Sequence, residues 1–331
     1  MLTKEQLAKR KHGIYASEIA AIVGLSPWKT PGEVWVEKTG LGLDGELSEE
    51  EEQEERPSED IERGVYLERA IIDWTAARTG EIIRPNSGPD GVSDVTYQHP
   101  RIPWAHATPD GIIYRDDAID GVVEVKAPSW RTAQEWDDPE EIPDGAPVQY
   151  LCQVQWQMEC AGARRAIIGA LVDGRLRVYH LTHSEKLANV LLEKAGEFWD
   201  SVQAGRPPKV QSASDSAWLS RLYRKDVGEI YDVTGDDDAL YGGLARDYAI
   251  AGAREKEAKD EKAKCKALLQ EFLGERPGIR GGDWKVLWKC PKDRETTDWQ
   301  SIAIAAGASE ELIKQFTKRV PSTRRFTVYA K

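Results

Sequence analysis

The amino-acid sequence predicts an α/β fold in which helices flank a central mixed β-sheet. Strands are indicated by two runs of β-branched and apolar residues, each interrupted by a polar turn signal, at 112–125 and 166–181. Helices are indicated by capped or amphipathic segments at 31–40, 60–79, 147–161 and 185–203. These patterns occupy about the first 205 residues, and a helical and small α+β extension is expected after them.

The first helices are marked by their capping residues. Thr30-Pro31-Gly32-Glu33 is a capping box with proline in the first turn, and the helix is expected to end at Gly40. Ser17 is predicted to be the N-cap of a shorter helix that Gly24 closes. Because a helix N-terminus also attracts anions, Ser17 has a second interpretation as a phosphate contact.

Glu68 lies on the apolar side of the helix predicted at 60–79. Successive gaps of four, three and four residues place Ile61, Val65, Glu68 and Ile72 on one face. Such a glutamate is either an edge residue that reaches solvent or pairs with a base, or a carboxylate aimed into a cleft. The helix alone leaves both open, and the segment that follows favours the cleft.

Residues 105–126 predict a β-hairpin that gathers three charged side chains. The strand period of two places Glu124 and Lys126 on one face of the second strand. The partner strand begins at Pro109-Asp110-Gly111, so Asp110 is expected to lie beside Glu124 and Lys126.

This trio has the chemistry of a hydrolytic metal site. An aspartate and a glutamate side by side repel each other, and such a pair persists most readily where a divalent cation holds it. Hard oxygen ligands without nearby His or Cys favour Mg²⁺ or Mn²⁺ over Zn²⁺. Lys126 is then placed to orient or deprotonate the attacking water, with a pKa lowered by the cations. The combination is typical of metal-assisted phosphodiester hydrolysis.

The helix at 147–161 carries a row of amides, because Gln149, Gln153 and Gln157 are spaced by four residues. The row is either a solvated surface or a set of neutral donors that faces phosphate oxygens at the metal site.

Charge is unevenly distributed along the 331 residues, which carry 45 Lys and Arg against 57 Asp and Glu, a net charge of −12. Residues 46–60 hold nine acids and one arginine and have the composition of a solvated loop. Residues 274–331 hold twelve basic against seven acidic residues. The balance argues against a general polyanion binder, but it permits a nucleic-acid enzyme whose basic groups are concentrated locally.

Other classes are disfavoured by the absence of their signals. No apolar run approaches the ~20 residues of a membrane span, and the N-terminus lacks the apolar core of a signal peptide, so a soluble, cytoplasmic protein is expected. The four cysteines are far apart and form no CxxC, which disfavours a disulfide framework or a structural zinc site.

The predicted organisation has three parts. A body at 1–205 contains the acidic loop, placed at 44–60. A linker region follows at 206–237, suggested by the Pro- and Ser-containing stretch 205–214. The extension at 238–331 combines a charged helix with a small basic α+β module.

The motifs of the body, in their order, resemble the lambda-type phage exonuclease or YqaJ-like viral recombinase branch of the PD-(D/E)XK nuclease superfamily. The resemblance covers about 10–205. It is carried by five blocks: Ile14-Tyr15-Ala16-Ser17-Glu18, Gly64 with Glu68, Thr108-Pro109-Asp110-Gly111, Glu124-Val125-Lys126-Ala127-Pro128, and Tyr150-Leu151-Cys152-Gln153-Val154-Gln155.

The resemblance implies a restriction-endonuclease-like core and a Mg²⁺-dependent DNA exonuclease, with two ions per active site and Mn²⁺ as a substitute. Asp110, Glu124 and the main-chain carbonyl of Val125 would hold the metals, Lys126 would activate water, and Glu68 and Gln153 would complete the site. Ser17 and Arg10 would grip a DNA phosphate. It further implies 5′→3′ action on double-stranded ends, a toroidal trimer, and a single-strand annealing partner in phage-type recombination inside the bacterial host.

Two rivals differ in class. One is a RecB-like or CRISPR-associated nuclease that acts on single strands or as an endonuclease, although the scattered cysteines give little support to the iron–sulfur cluster of the CRISPR-associated relatives. The other is a non-catalytic DNA-end binding scaffold, which should lack a ligand or the lysine, whereas this sequence keeps them all.

Overall fold

The computed structural model describes residues 9–41, 59–86, 95–116, 118–226 and 228–288, together with 307 and 309. The chain divides into two compact units, Met1–Arg224 and Lys225–Lys331. Most of the predicted acidic loop, up to residue 58, lies outside the described residues, as does most of the predicted α+β module after residue 288.

The first unit contains a mixed five-stranded sheet in the order β2-β5-β6-β7-β8. All its neighbouring pairs are antiparallel except β6 and β7, which are parallel. A smaller sheet has the order β1-β4-β3. The strands are β1 (Ile14–Tyr15), β2 (Ile83–Pro85), β3 (Tyr97–Gln98), β4 (Ala105–Ala107), β5 (Gly111–Arg115), β6 (Ala118–Lys126), β7 (Arg165–Val172) and β8 (Arg175–Thr182).

Helices cover both faces of the larger sheet. The helices of this unit are α1 (Ala16–Ile22), α2 (Pro31–Thr39), α3 (Glu59–Thr79), α4 (Val148–Ala161), α5 (Glu185–Gln203) and α6 (Asp215–Leu222). Val154 and Met158 of α4 pack with Ile168 on one face. Ile71 and Ile72 of α3 pack with sheet residues that include Ile113 and Ile167 on the other. The predicted α/β class with a mixed sheet between helices is therefore confirmed.

Local sequence signals account for several boundaries. At the start of α2, Glu33 accepts a hydrogen bond from Thr30 N (2.7 Å) and its own N–H donates to Thr30 Oγ1 (3.4 Å), which is the predicted capping box. The turn between β7 and β8 has positive φ at both Asp173 (48°) and Gly174 (75°), as a type I′ hairpin turn requires.

The predicted cap at Ser17 is wrong. Tyr15 is the N-cap of α1, and its N–H donates to Glu18 Oε2 (2.9 Å). Ser17 lies inside the first turn, and its Oγ accepts from the Arg10 guanidinium instead. The carboxylate three residues after Tyr15 reaches back to the free backbone N–H, so the helix needs no hydroxyl at its cap.

The range predicted as a linker contains helix α6, which belongs to the first compact unit. Trp218 is 1% exposed and donates through Nε1 to Asp215 (2.7 Å). A Cβ on Gly32 of α2 would come within 2.1 Å of the Trp218 ring, so this contact requires glycine. A buried tryptophan thus anchors a segment whose Pro and Ser content suggested a connector.

The second unit contains α7 (Asp236–Leu273) and an antiparallel pair, β9 (Gly278–Arg280) and β10 (Lys285–Leu287). Among the described residues of α7, Leu273 is the buried one, in line with the predicted exposed charged helix. No helix in the described part of the chain is long and apolar enough to span a lipid bilayer.

Candidate active site

The register of β5 and β6 brings Asp110 and Glu124 together. Gly111 pairs with Val123, so the residues that flank them, Asp110 and Glu124, lie at the same end of the two strands. Asp110 Oδ2 accepts a hydrogen bond from Val125 N at 2.7 Å. The hairpin pattern at 105–126 therefore predicts this juxtaposition correctly.

Glu124 is a buried carboxylate, 2% exposed, that accepts from three donors. Lys126 Nζ and Gln153 Nε2 (2.6 Å) donate to Oε1, and Gln157 Nε2 (2.6 Å) donates to Oε2. Each donor offsets part of the free-energy cost of burying the negative charge of Glu124.

Lys126 is half-buried beside both carboxylates. Its ammonium lies 5.1 Å from the centroid of the Tyr150 ring. Burial lowers the pKa of Lys126, but the charges of Glu124 and Asp110 outweigh burial and raise the pKa above its ordinary value. The lowered pKa predicted for Lys126 depends on divalent cations bound at the two carboxylates and stays a prediction.

The pKa of Asp110 is also shifted by burial and by its charged neighbours. Burial and then the neighbouring Glu124 carboxylate raise the pKa of Asp110 well above its ordinary value, against the lowering effects of Lys126 and of the Val125 N–H. Two carboxylates that destabilise each other in this way form a site at which bound positive charge is favourable.

Gln157 is a site residue that the sequence did not single out from the amide row. It is fully buried and donates to Glu124, whereas Gln153 is half-buried on the same helix. Two of the three amides thus contact the carboxylate, because residues four apart share one helix face. The face itself could not be assigned without knowing which side of α4 meets β6.

Gln157→Leu tests this contact. Removing one donor from a buried carboxylate that a metal would use is expected to lower Mg²⁺ affinity or the rate of DNA hydrolysis about 10–100-fold. The rate should be measured across Mg²⁺ concentrations, with Gln203→Leu at the end of α5 as a control for an amide outside the site. A Mg²⁺ dependence identical to that of the wild type would contradict a supporting role for Gln157.

A first cleft of about 300 Å³ collects most of the residues predicted from the sequence. It is lined by the acids Glu68, Asp110 and Glu124, by Lys126 and Gln153, and by Arg10 and Ser17. Val125 points its side chain into the apolar core on the far side of the sheet and is 6% exposed. All the residues that were predicted to contribute a side chain to the site therefore line one cleft.

A second cleft of about 380 Å³ shares Glu68, Asp110 and Lys126 with the first. Its other walls are mainly apolar and include Ile61, Val65, Ile71, Pro128 and Tyr150. Glu68 is solvent-exposed and faces both clefts, as do Asp110 and Lys126. The apolar stripe of α3 therefore has two parts: Ile72 enters the core, while Ile61 and Val65 line a cleft and remain about half exposed.

Arg10 and Ser17 contact each other at the rim of the first cleft. The Arg10 guanidinium donates to Ser17 Oγ and lies 4.9 Å from the centroid of the Tyr15 ring. Arg10 Nε is buried without a hydrogen-bond partner in the described part of the structure. This pair supplies a cation and a hydroxyl to the first cleft.

The carboxylate oxygens of Asp110 and Glu124 are the type of ligand that Mg²⁺ prefers. Within the described ranges no group of three or more His, Cys, Asp or Glu side chains is assembled closely enough to hold a metal. Asp110 and Glu124 would therefore be completed by the main-chain carbonyl of Val125, by water and by substrate oxygens. Mg²⁺ is commonly held in this way, through one or two carboxylates plus phosphate oxygens and water.

Two solved structures of exonucleases are similar to part of this chain. A solved structure of an alkaline exonuclease (LHK-Exo) from Laribacter hongkongensis is 21% identical, with a TM-score of 0.46, over 61% of this chain and 94% of that one. A phage related exonuclease from Haemophilus somnus 129PT is 14% identical, with a TM-score of 0.41, over 58% of this chain and 96% of that one.

The sequence comparisons are more specific. The Bacillus subtilis (strain 168) protein "Uncharacterized protein YqaJ" is 29% identical over 228 residues, which are 67% of this chain and 64% of that relative. The chain thus spans somewhat less than two thirds of the relative's length. The sequence model of the YqaJ-like viral recombinase domain matches residues 5–164, which contain every site residue described above. Residues 5–164 of this chain therefore match the YqaJ-like viral recombinase domain.

Proposed function

We propose that this protein is a Mg²⁺-dependent DNA exonuclease that hydrolyses double-stranded ends in the 5′→3′ direction. The observation that carries the proposal is the meeting of Asp110 and Glu124 at one end of β5 and β6, with Lys126 two residues along from Glu124 in the same cleft. The match of residues 5–164 to a viral recombinase domain family supports DNA as the substrate.

The proposed roles follow from the contacts of each side chain. Asp110, Glu124 and the Val125 carbonyl would hold one or two divalent ions, which supply Lewis-acid activation of phosphate and water. Lys126 would orient the attacking water and accept its proton as the neutral amine, a form that bound cations would favour by lowering its pKa. Gln153 and Gln157 fix the Glu124 carboxylate through its two oxygens. Glu68 contributes a third acid at the junction of the two clefts.

Arg10 and Ser17 are proposed to bind a phosphate of the DNA strand. Both line the first cleft together with the three acids, and a guanidinium and a hydroxyl are suitable donors for phosphate oxygens. A cation at the rim also lessens the repulsion between the acidic centre and the DNA backbone. The net charge of −12 does not favour DNA binding, so such a local cation is needed.

The proposal includes a biological setting. A recombinase-family exonuclease that leaves single strands would act with a single-strand annealing protein in phage-type recombination. A toroidal trimer in the host cytoplasm would keep the enzyme on one DNA end. The resemblance of the five sequence blocks is what supports these parts.

End-labelled linear duplex DNA tests the activity. We expect rapid release of a 5′ label and slow release of a 3′ label in Mg²⁺, no release with EDTA, and no cutting of covalently closed circles. Equal release of both labels or cutting of circles would favour a RecB-like or endonuclease activity. DNA binding without any hydrolysis, at any Mg²⁺ or Mn²⁺ concentration, would favour the non-catalytic scaffold.

A further inference from the structure

A buried lysine lies behind the phosphate-binding side of the first cleft. Lys38, in the last turn of α2, has a side chain that is 2% exposed. Its ammonium donates to Arg10 O (2.6 Å) and to both oxygens of Glu18 (2.8 and 2.7 Å). These contacts use the hydrogen-bonding capacity of the ammonium, so Lys38 itself is committed to Arg10 and Glu18.

Glu18 connects this lysine to the rim of the cleft. Its Oε2 accepts from Tyr15 N (2.9 Å), and its Oε1 lies 3.7 Å from Arg10 Nε. Lys38 thus holds the main chain of Arg10 directly and approaches the Arg10 side chain through Glu18. Ser17 and the Tyr15 ring contact the same guanidinium.

We propose that Lys38, acting through Glu18, is a positioning residue that fixes Arg10 for phosphate binding. This inference rests on the proposed function, because it gives Arg10 a phosphate as its ligand. A long arginine side chain that is already ordered loses little conformational entropy when it binds, so the buried pair increases affinity without touching DNA.

The simpler role for the Lys38–Glu18 pair would be to stabilise the fold alone. This structural role and the positioning role differ in their consequence for DNA binding. Removing Lys38 leaves Glu18 buried without its cation, and such a loss destabilises a fold whatever its function. Removing both charges relieves that penalty. A structural pair should then become dispensable, whereas a positioning pair should still be needed for DNA binding.

The experiment uses the full chain and five variants, one of which combines Arg10→Ala with Lys38→Met. Lys38→Met removes the cation, and Glu18→Gln with Lys38→Met removes both charges. Arg10→Ala removes the proposed phosphate contact. Arg165→Met is the matched control, because Arg165 pairs with Glu81 (2.6 Å) and Asp120 (2.7 Å) in the same unit and does not line the clefts. The readouts are the melting temperature and the Kd for a 5′-phosphorylated duplex end, measured without divalent ions.

We expect Arg10→Ala, Lys38→Met and the double variant each to raise the Kd about tenfold, which corresponds to the loss of one charge-assisted hydrogen bond. Combining Arg10→Ala with Lys38→Met should weaken binding no further, since both changes remove the same contact. The double variant should recover melting temperature relative to Lys38→Met, and Arg165→Met should lose stability but keep the wild-type Kd.

Three results would overturn the proposal. These are a wild-type Kd in folded Lys38→Met, a wild-type Kd in the double variant, or a further loss of affinity when Lys38→Met is added to Arg10→Ala. If Lys38→Met fails to fold, the double variant decides between the two roles. Absence of hydrolysis in a wild type that shows the expected pattern of Kd values would reject the exonuclease activity and leave the positioning role standing.

Discussion

Lys126→Ala is expected to lower kcat for DNA hydrolysis about 10²–10⁴-fold, the usual loss when a positioned acid–base group is removed. Lys126 is the one described lysine that lines both clefts, and its ammonium contacts the Glu124 carboxylate. The loss should appear in single-turnover measurements at saturating DNA. DNA affinity should change much less, because Arg10 and Ser17 remain.

A second substitution separates two ways in which Lys126 could act. Lys126→Arg keeps the positive charge, but a guanidinium does not release its proton in proteins. If the lysine accepts the proton of water, this variant should also lose about 10²-fold or more in kcat. Near-wild-type activity of Lys126→Arg would mean that only the positive charge matters.

Lys194→Ala is the matched surface control. Lys194 pairs with Glu197 at 2.8 Å on the exposed face of α5, and both side chains are about half exposed. Such pairs contribute little to stability, so kcat and melting temperature should stay close to the wild-type values. A Lys126→Ala enzyme that is as active as Lys194→Ala would remove Lys126 from the mechanism.

The sequence predicts those parts of the fold that depend on local rules. The Thr30 capping box and the Asp173-Gly174 turn both form, because their hydrogen bonds and φ angles are set by residues within one turn. The juxtaposition of Asp110 and Glu124 was also predictable, since a hairpin fixes which residues lie opposite each other.

Features that depend on tertiary packing could not be predicted. Tyr15 rather than Ser17 is the N-cap of α1, and the Ser17 hydroxyl accepts a hydrogen bond from Arg10 instead. The burial of Gln157 and Lys38 also depends on tertiary packing and could not be predicted from the sequence. An amide row and a lysine near the end of a helix are common on surfaces, and only the packing of α4 and α2 shows that these side chains are buried.

Burial itself distinguishes the site from an ordinary hairpin. Three charged side chains at a strand end would usually be solvated, and the sequence alone leaves that alternative open. The structure places Glu124 at 2% exposure with Gln153 and Gln157 at its two oxygens. Carboxylates held in this way cannot turn outwards to relieve their repulsion, which favours a bound cation.

Glu124→Gln is expected to abolish the response of the protein to Mg²⁺. The amide keeps the size of the side chain and removes the charge on which a hard divalent ion depends. Loss of several kcal/mol of charge stabilisation should lower the hydrolysis rate about 10³-fold. The same change removes a charge that raises the pKa of Asp110, so the metal-free protein should lose little stability despite the burial of this position.

Thermal unfolding with and without Mg²⁺ measures Mg²⁺ binding separately from hydrolytic activity. A ligand at about 100 times its Kd stabilises the native state by about 2.7 kcal/mol, so Mg²⁺ should raise the melting temperature of the wild type. Glu124→Gln should lose that increase, and the exposed Glu197→Gln, which removes the same charge from α5, should retain it.

The decisive case is a Glu124→Gln protein that Mg²⁺ still stabilises as it does the wild type. The cation would then be held elsewhere, and Asp110 and Glu124 would be a carboxylate pair stabilised by Lys126, two amides and the Val125 N–H alone.

Those donors satisfy most of Glu124 but contribute a single hydrogen bond to Asp110 Oδ2. Because Asp110 remains the less compensated acid, we expect it to depend on the same cation, and Asp110→Asn should reproduce the loss of Mg²⁺ stabilisation.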